Sequence, residues 1–582
     1  MCGFHGVFYN SKNVVYGNDK FLPLHHRGPD DYQQKKINKL SLNFFRLKIL
    51  GGEFGSQPMT SDSNLWSIVF NGEIYNYKEL AKEMGQEHLI DKGDTKVLIE
   101  YIDKYGLDNI NKINGMFAIV LYNHSTQKLY LIRDRFGVKP LYYQFRDGNL
   151  IFASEIKSLI EKKISKKEVV SYINSGKYPS QTSTFYEDIF EIKPGTICEL
   201  NEEKINEHIY YSLDEVIKNK NDTDDLDYYE KLLEHAIEIR LRSDVPISLH
   251  FSGGVDSTAL LIKIKEVAGW NYPIGIFNLK YKGFEELDNE YAKQICDQLN
   301  LELNEVQLDP YEVPELAKKL QYFQDEPYGG IPSISMYKLN QIEKDLGYVV
   351  TLEGQGGDEV FGGYLSHIYL AIKDMQDDKS ENMETINNLL KLINKTNQEV
   401  VDIADRFIES GFSAHTDLTN QRNLDNKRIK KNNNWLQTIQ LHDILNNKIP
   451  RTMRFHDRIS SACSRELRFP LLDFNVIEYS LKLSNKLKMK NGVPKYPLRK
   501  IINKHLPNRL FNKKKRADSS PQTFWLQNHL RDWSHSNLTQ LKQKSIVSDN
   551  YIDAALRDLE NKTLSNSFHI WQLININLMY LN

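Results

Sequence analysis

Cysteine is scarce: the 582 residues hold four, Cys2, Cys198, Cys296 and Cys463, far apart and without a CxxC. That spacing argues against a disulfide framework or a zinc knuckle and predicts a reducing compartment, the cytoplasm. An excess of charge of either sign is missing too. Seventy-five Lys+Arg against 77 Asp+Glu leave a net −2, so no overall field draws the chain to nucleic acid or anionic lipid. No apolar run approaches the ~20 residues of a membrane span, the longest lying at 116–122. The opening MCGFHGVFYN lacks the basic and apolar regions of a signal peptide. No HExxH occurs among the 16 histidines, so no tightly held transition metal is expected. What remains, 40% hydrophobic and 26% charged, is a soluble globular composition, and its length suits roughly two to four domains.

Two patterns divide the chain. Up to about residue 205, short strand-like runs broken by turn residues (CGFHGVFY, LNFFRLKIL, LWSIVFNG, GMFAIVLYN, KLYLIRDR, LIFASE, TICEL) predict a sheet-rich unit. Helical spacing of Tyr77, Leu80, Ala81 and Met84, and of Val97, Leu98, Tyr101 and Ile102, adds two helices. Two sheets with helices packed outside fit this pattern. Beyond the polar stretch KNKNDTDDLD (218–227) the pattern becomes strand, glycine-rich turn, helix: ISLHF (247–251) before SGGVDS, IGIFNL (274–279) before a helix with Ala292, Ile295, Cys296 and Leu299 on one face, and YVVTL (348–352) before a second glycine-rich loop. Such alternation implies βαβ units and a parallel sheet. The Lys/Asn-rich segment of about 370–447 has helical periodicity and reads as a solvated elaboration.

Removal of Met1 would leave Cys2 with a thiol and a free α-amine on one residue. Such an amine, with an ordinary pKa of ~7.7 to 8.0, can take the thiol proton and return it to a leaving amine. The motifs that follow are HRGPDD (26–31), FFRLKIL with Arg46, QPM (57–59), FNGEIYNY (70–77), GDT (93–95), RDRFGVKPLYY (133–143) and FASEIK (152–157). Together they resemble the glutaminase domain of class II glutamine amidotransferases, specifically the asparagine synthetase B family. The resemblance implies Cys2 as nucleophile and Arg46 as partner of the glutamine carboxylate. Asp94 would hold the substrate ammonium, Glu73 and the backbone around Asn76 would help orient it, and Asn71 with the Gly72 N–H would form an oxyanion hole. Asp94 is alternatively a helix N-cap, and the two roles are compatible.

The SGGVDS turn (Ser252, Gly253, Gly254, Asp256, Ser257) places backbone N–H groups and a helix start where phosphate can approach. A Walker GxxxxGK[ST] is absent. The loop resembles that of enzymes cleaving ATP to AMP and pyrophosphate. EGQGGDEVFGGY (353–364) resembles the second nucleotide loop, with Glu353 and Gly354 at ATP and Asp256 and Asp358 as candidate Mg²⁺ ligands. DRISSACSRELRFPLLD (457–473) and PKYPLRK resemble the remaining synthetase motifs, Lys495 neutralising charge on the α-phosphate. Phe251 and Phe277, at strand ends, are candidates to flank adenine, or else core. Two departures bear on the acceptor. The family loop usually reads Ser-Gly-Asp/Glu-Gly, where this chain has Glu353-Gly354-Gln355-Gly356, and Gln355 is no base near neutral pH. KKRADSSPQTFWL (514–526) looks more like branches that amidate sugar acids of surface polysaccharides.

The expected architecture is α/β and multi-domain. An N-terminal nucleophile, αββα-type glutaminase domain spans 1–212. A parallel-sheet ATP-pyrophosphatase domain, of the adenine nucleotide alpha hydrolase-like kind, spans 213–582, with the helical elaboration at about 370–447. The expected function is glutamine-dependent, ATP- and Mg²⁺-using amidation of a carboxylate through an adenylate. Aspartate is the first acceptor and a uronic acid the second, and a non-catalytic glutamine-sensing or scaffold paralogue is the alternative of another class. Partners are these small molecules, not nucleic acid or membrane, and a homodimer is among the oligomeric states left open. Ammonia would pass internally between the halves along apolar side chains, because in bulk water it becomes unreactive ammonium.

Overall fold

The computed structural model describes residues 2–9, 22–159, 162–180, 182–201, 204–218, 224–284, 287–376, 379–412, 430–506, 520–562, 564 and 567–581. The apolar runs at 66–74 and 115–123 form the two longest strands among the described residues. Among the described residues the first half has twelve strands: β1 (Gly3–Phe8), β2 (Asp31–Ile37), β3 (Leu40–Arg46), β4 (Met59–Thr60), β5 (Trp66–Ile74), β6 (Gly115–Asn123), β7 (Leu129–Arg133), β8 (Tyr142–Arg146), β9 (Asn149–Ala153), β10 (Phe190–Glu191), β11 (Thr196–Asn201) and β12 (Lys204–Ile209). They make two antiparallel sheets, ordered β10-β8-β9-β1-β3-β2 and β12-β11-β7-β6-β5-β4. Phe4, Phe8, Leu42 and Phe44 of one sheet face Val69, Ala118, Val120 and Leu131 of the other, closing a dry core between them.

Helices Tyr77–Met84 and Asp94–Tyr105 cover the outer face of the second sheet through Leu80, Met84, Leu98 and Ile102. The first sheet also carries an apolar layer on its outer face. Over Val7, Ile151 and Ala153 lie Ile156 and Leu159 of a single 3-10 turn, and Ile189. The nearby helix Lys166–Ser175 instead turns Val169 and Tyr172 toward the C-terminal helix Phe568–Met579, where Gln572 Nε2 donates to the Tyr172 carbonyl at 2.5 Å.

Five parallel strands, β13 (Ile247–His250), β14 (Gly275–Tyr281), β15 (Asn304–Leu308), β16 (Val350–Leu352) and β17 (Glu466–Arg468), build the second half in the order β15-β14-β13-β16-β17. The chain runs outward from β13 in one direction, then restarts at β16 on its other side. The crevice between the carboxyl ends of β13 and β16 is therefore the topological switch point, where ligands bind in open α/β sheets. Residues 365–445 include four helices with a core of their own, Ile372, Leu389, Val400, Ala404 and Ile439. Among the described residues no helix is long and apolar enough to cross a membrane.

Charges clamp the halves together. Arg27 of HRGPDD is fully buried and donates to Glu155 at 2.7 Å, to Asp457 at 2.9 Å and to Ser461 at 3.0 Å. Asp473 similarly receives Arg240 and Asn114, each at 2.8 Å. Between these clamps Tyr75, Met116, Phe136 and Val138 of the first half face Phe469 and Leu472 of the second around a small, partly open cavity.

Candidate active site

Register sets the first constellation. Gly3 pairs with Phe45, so the residue before β1, Cys2, comes beside Arg46 at the end of β3. Cys2, Arg46, Gly72, Glu73 and Asp94 line one small pocket. The Cys2 thiol faces the Leu47 carbonyl at 3.9 Å. Burial pushes it up, opposed by the Leu47 bond and Arg46. Arg46 is 3% exposed; its Nη2 donates to the Leu50 carbonyl at 3.3 Å, while Nη1 meets no protein partner. Asn71 is fully buried, with neither side-chain atom hydrogen-bonded to protein. Gly72 has φ 150°, and a Cβ there would lie 2.0 Å from the Met116 carbonyl oxygen, so only glycine lets this backbone turn beside β6. Asn71 itself is absent from the residues lining the pocket.

Asp94 opens its helix but does not cap it: Gly93 is the N-cap. The Asp94 carboxylate accepts from Ile74 N at 3.0 Å and Thr95 N at 2.8 Å, yet burial still pushes it up to about 6. Burial, with Asp94 nearby, also holds Glu73 well above the carboxylate range, against the pull of Arg468. That arginine is a residue the sequence reading did not place here. It lies on β17, in the other half, with Nη2 3.2 Å from Glu73, and it pairs with Glu466, which lines the same pocket. No local signal announces this, since the strand is three residues long.

The second constellation lies at the switch point. After β13, Ser252 Oγ contacts Ser257 Oγ at 3.1 Å and accepts from Gly254 N at 3.2 Å, folding SGGVDS against the start of helix Val255–Ala268. Lys495 Nζ sits 2.8 and 2.6 Å from the two Asp256 oxygens and 2.6 Å from Asp358 Oδ1. Burial disfavours its charge, but the two aspartates outweigh this and raise its pKa. A Cβ on Gly363 would fall 1.8 Å from Asp358 Oδ1 and 2.2 Å from Lys495 Cε, so the loop closes only around glycine. Asp256 and Asp358 thus aim hard oxygen donors at one point that a cationic nitrogen fills, an arrangement that fits Mg²⁺.

Two expected ligand contacts are placed elsewhere by packing. Phe251 and Phe277 are 1% and 0% exposed. Phe251 joins the core with Leu249 and Leu260, and the Phe277 ring meets Tyr348 at 5.3 Å, so neither offers a face to a base. The Glu353 carboxylate is engaged by His250 and His456 rather than directed at a nucleotide. Gln355 is half-buried in the same loop, and of 514–526 only 520–526 belong to the described residues.

A cysteine pocket lined by an arginine and carboxylates, joined through a buried interface to a glycine-rich turn on a parallel sheet, fits a class: a glutamine amidotransferase fused to a nucleotide-activating synthetase. The particular family follows from comparison. Residues 228–581 match the family model for asparagine synthase and residues 1–211 that for a glutamine amidotransferase domain, and the chain belongs to the asparagine synthase family. The glutamine-hydrolyzing asparagine synthetase 1 of Bacillus subtilis is 27% identical over 640 residues, covering 100% of this chain and 98% of its own. The putative glutamine-hydrolyzing asparagine synthetase 2 of Methanocaldococcus jannaschii is 32% identical over 400 residues, covering 63% of this chain and 76% of its own. Amidase chry2 of Gibberella zeae is 24% identical over 617 residues, covering 93% and 89%. The protein is an ATP-using enzyme of the glutamine-hydrolysing asparagine synthase type, and its reaction is glutamine-dependent amidation.

Proposed function

We propose that the enzyme amidates aspartate to asparagine with nitrogen from glutamine, releasing glutamate, AMP and diphosphate. The observation that carries the reading is the pairing, in one chain, of a cysteine pocket with unpartnered buried polar atoms and the Lys495-bridged aspartates of the other half. The Cys2 sulfur attacks the glutamine amide carbon, with the α-amine relaying the thiol proton to departing ammonia. Asn71 Nδ2 and the Gly72 N–H take the oxyanion, each donor worth about 3 to 4 kcal/mol in the transition state, and water hydrolyses the thioester. Arg46 and Asp94 hold the substrate's carboxylate and ammonium. In the other half the acceptor carboxylate attacks the α-phosphorus of ATP, which Ser252, Gly253, Gly254, Ser257 and Gly354 cradle, and Lys495 neutralises the charge that grows there. Mg²⁺, when bound by Asp256 and Asp358, supplies charge neutralisation on the pyrophosphate. Ammonia crosses through the cavity between Met116 and Leu472, and a homodimer is the proposed assembly.

A second acceptor, a uronic acid, is favoured by Gln355 standing where an acidic residue is usual and by amidase-named relatives such as chry2. Incubation with ATP, glutamine or ammonia, and either aspartate or UDP-glucuronate separates the two. Asparagine is the expected product, and its absence with both nitrogen sources, alongside amidated UDP-glucuronate, would replace the first reading by the second.

A further inference from the structure

Three side chains far apart in the chain meet at the carboxyl edge of the parallel sheet. Glu353, just after β16, contacts His250 Nδ1 at 2.5 Å with one oxygen and His456 Nδ1 at 2.8 Å with the other. His250 turns its second nitrogen to Glu343 at 2.8 Å, and Glu343 in turn pairs with Arg465. Burial disfavours charge on His250, but the two carboxylates overcome it and hold the ring at about 9, so it is an imidazolium at neutral pH. Signs therefore alternate along Arg465, Glu343, His250 and Glu353. The row ends on His456, whose Nδ1 donates to an acceptor-only carboxylate. In the neutral ring this fixes the tautomer and leaves Nε2 as a lone-pair acceptor.

The place of this ring matters as much as its tautomer. A Cβ on Gly354 would lie 3.2 Å from Asp256 Cβ, and one on Gly356 would lie 2.5 Å from a Leu472 methyl. The loop that carries Glu353 therefore fills the gap between the phosphate turn and the wall of the interdomain cavity. His456 projects from helix Lys448–Ala462 with its ring 6.3 Å from that of Phe469, which with Leu472 walls the same cavity. His456 thus touches both the nucleotide loop, through Glu353, and the cavity wall, through Phe469, where the neighbouring Gln355 is unable to take a proton.

We infer that His456, oriented by Glu353, is the proton acceptor when ammonia attacks the activated carboxylate. The inference rests on the amidation reading above and deepens it. The ammonia lone pair forms the C–N bond. One N–H proton passes to His456 Nε2. The acyl C–O bond to phosphate breaks, and its electron pair leaves with AMP. Glu353 is a positioning residue in this step and His250 fixes Glu353.

The test uses the full-length protein with ammonia as nitrogen source and aspartate or UDP-glucuronate as acceptor. Two rates are read: acceptor-dependent ATP–pyrophosphate exchange, which reports adenylate formation, and amide formation. His456→Asn keeps a donor for Glu353 in place of Nδ1 but removes Nε2. Amide formation is expected to fall about 100-fold relative to exchange, and unimpaired glutamine hydrolysis reports an intact fold. Should that variant fail to fold, His456→Gln carries the same expectation. Equal losses in both rates, or no loss in either, would overturn the assignment. Glu353→Gln is expected to lower kcat for amide formation about tenfold with little change in the KM for ATP. A loss accounted for by the KM for ATP would overturn the positioning role and return Glu353 to nucleotide binding. If neither acceptor supports exchange in the unaltered enzyme, the amidation reading fails and this inference with it, a result distinct from a variant with normal ratios.

Discussion

In the cysteine pocket one nitrogen of Arg46 and one oxygen of Glu73 are buried without a partner among the described residues, as is the amide of Asn71 just outside its lining, whereas in the nucleotide loops Lys495 is already bound to Asp256 and Asp358 and Glu353 to two histidines. A buried polar atom left unpaired costs about 1 to 3 kcal/mol, so the first region holds open valences that the proposed glutamine would satisfy on arriving. The second region holds ion pairs that a ligand must exchange. On the proposed reading Lys495 would trade aspartate oxygens for phosphate oxygens while a cation took its place between the carboxylates. The glutaminase half is thus built to bind with little rearrangement, and the synthetase half to bind by swapping charges.

The largest effect that could break this contrast is removal of the thiol. Cys2→Ala should lower glutamine-dependent amidation by at least about 10³-fold and spare the ammonia-dependent rate, since only the nitrogen source is lost. A folded variant that loses both would end the division of labour. Next comes Lys495→Met. Acceptor-dependent ATP–pyrophosphate exchange should fall about 10² to 10³-fold while glutamine hydrolysis persists, and a parallel fall in hydrolysis would show the regions are not separable.

The third test is a pH profile. Asp94 sits at about 6 because of burial and must be ionised to hold the substrate ammonium. The kcat/KM for glutamine should therefore be level above that pH and fall about tenfold per unit below it; a flat profile down to pH 5 contradicts the assigned role. A smaller effect concerns stability. The folded His250 pKa of about 9 lies above its ordinary 6.5, so its contribution is fully present below about pH 6.5 and is lost as pH rises through 9. Denaturant midpoints should fall over that window, and His250→Gln should flatten the fall. Smallest of all, Phe277→Leu should cost less than about 1.5 kcal/mol and leave the KM for ATP unchanged, because the ring belongs to the core; a raised KM would bring it back to the base.

Strands with strong apolar signals were legible in advance, β5 and β6 above all. The edge strand β2 was not, since five consecutive residues, 32–36, are exposed and polar side chains at an edge carry no burial pattern. The same holds for β12, and β17 is too short to show a period. The site was legible where its residues sit in contiguous motifs, as with Asn71 and Gly72 in FNGEIYNY or Asp256 in SGGVDS. Arg468 and Glu466 were hidden because they come to the glutamine pocket from the opposite half, on a strand whose position only the parallel sheet dictates.

Local chemistry is what the sequence alone determined: a thiol at position 2, a guanidinium and carboxylates of the right types, glycines where backbone must pass close to a ligand, and the alternation that makes a parallel sheet. Which of those groups remain open and which neutralise one another was decided by tertiary structure. The reason is that hydrogen-bond partnership and desolvation depend on groups brought together across hundreds of residues, as Glu353 is to His456 and Arg468 to Glu73, and no spacing along the chain encodes the distance between them.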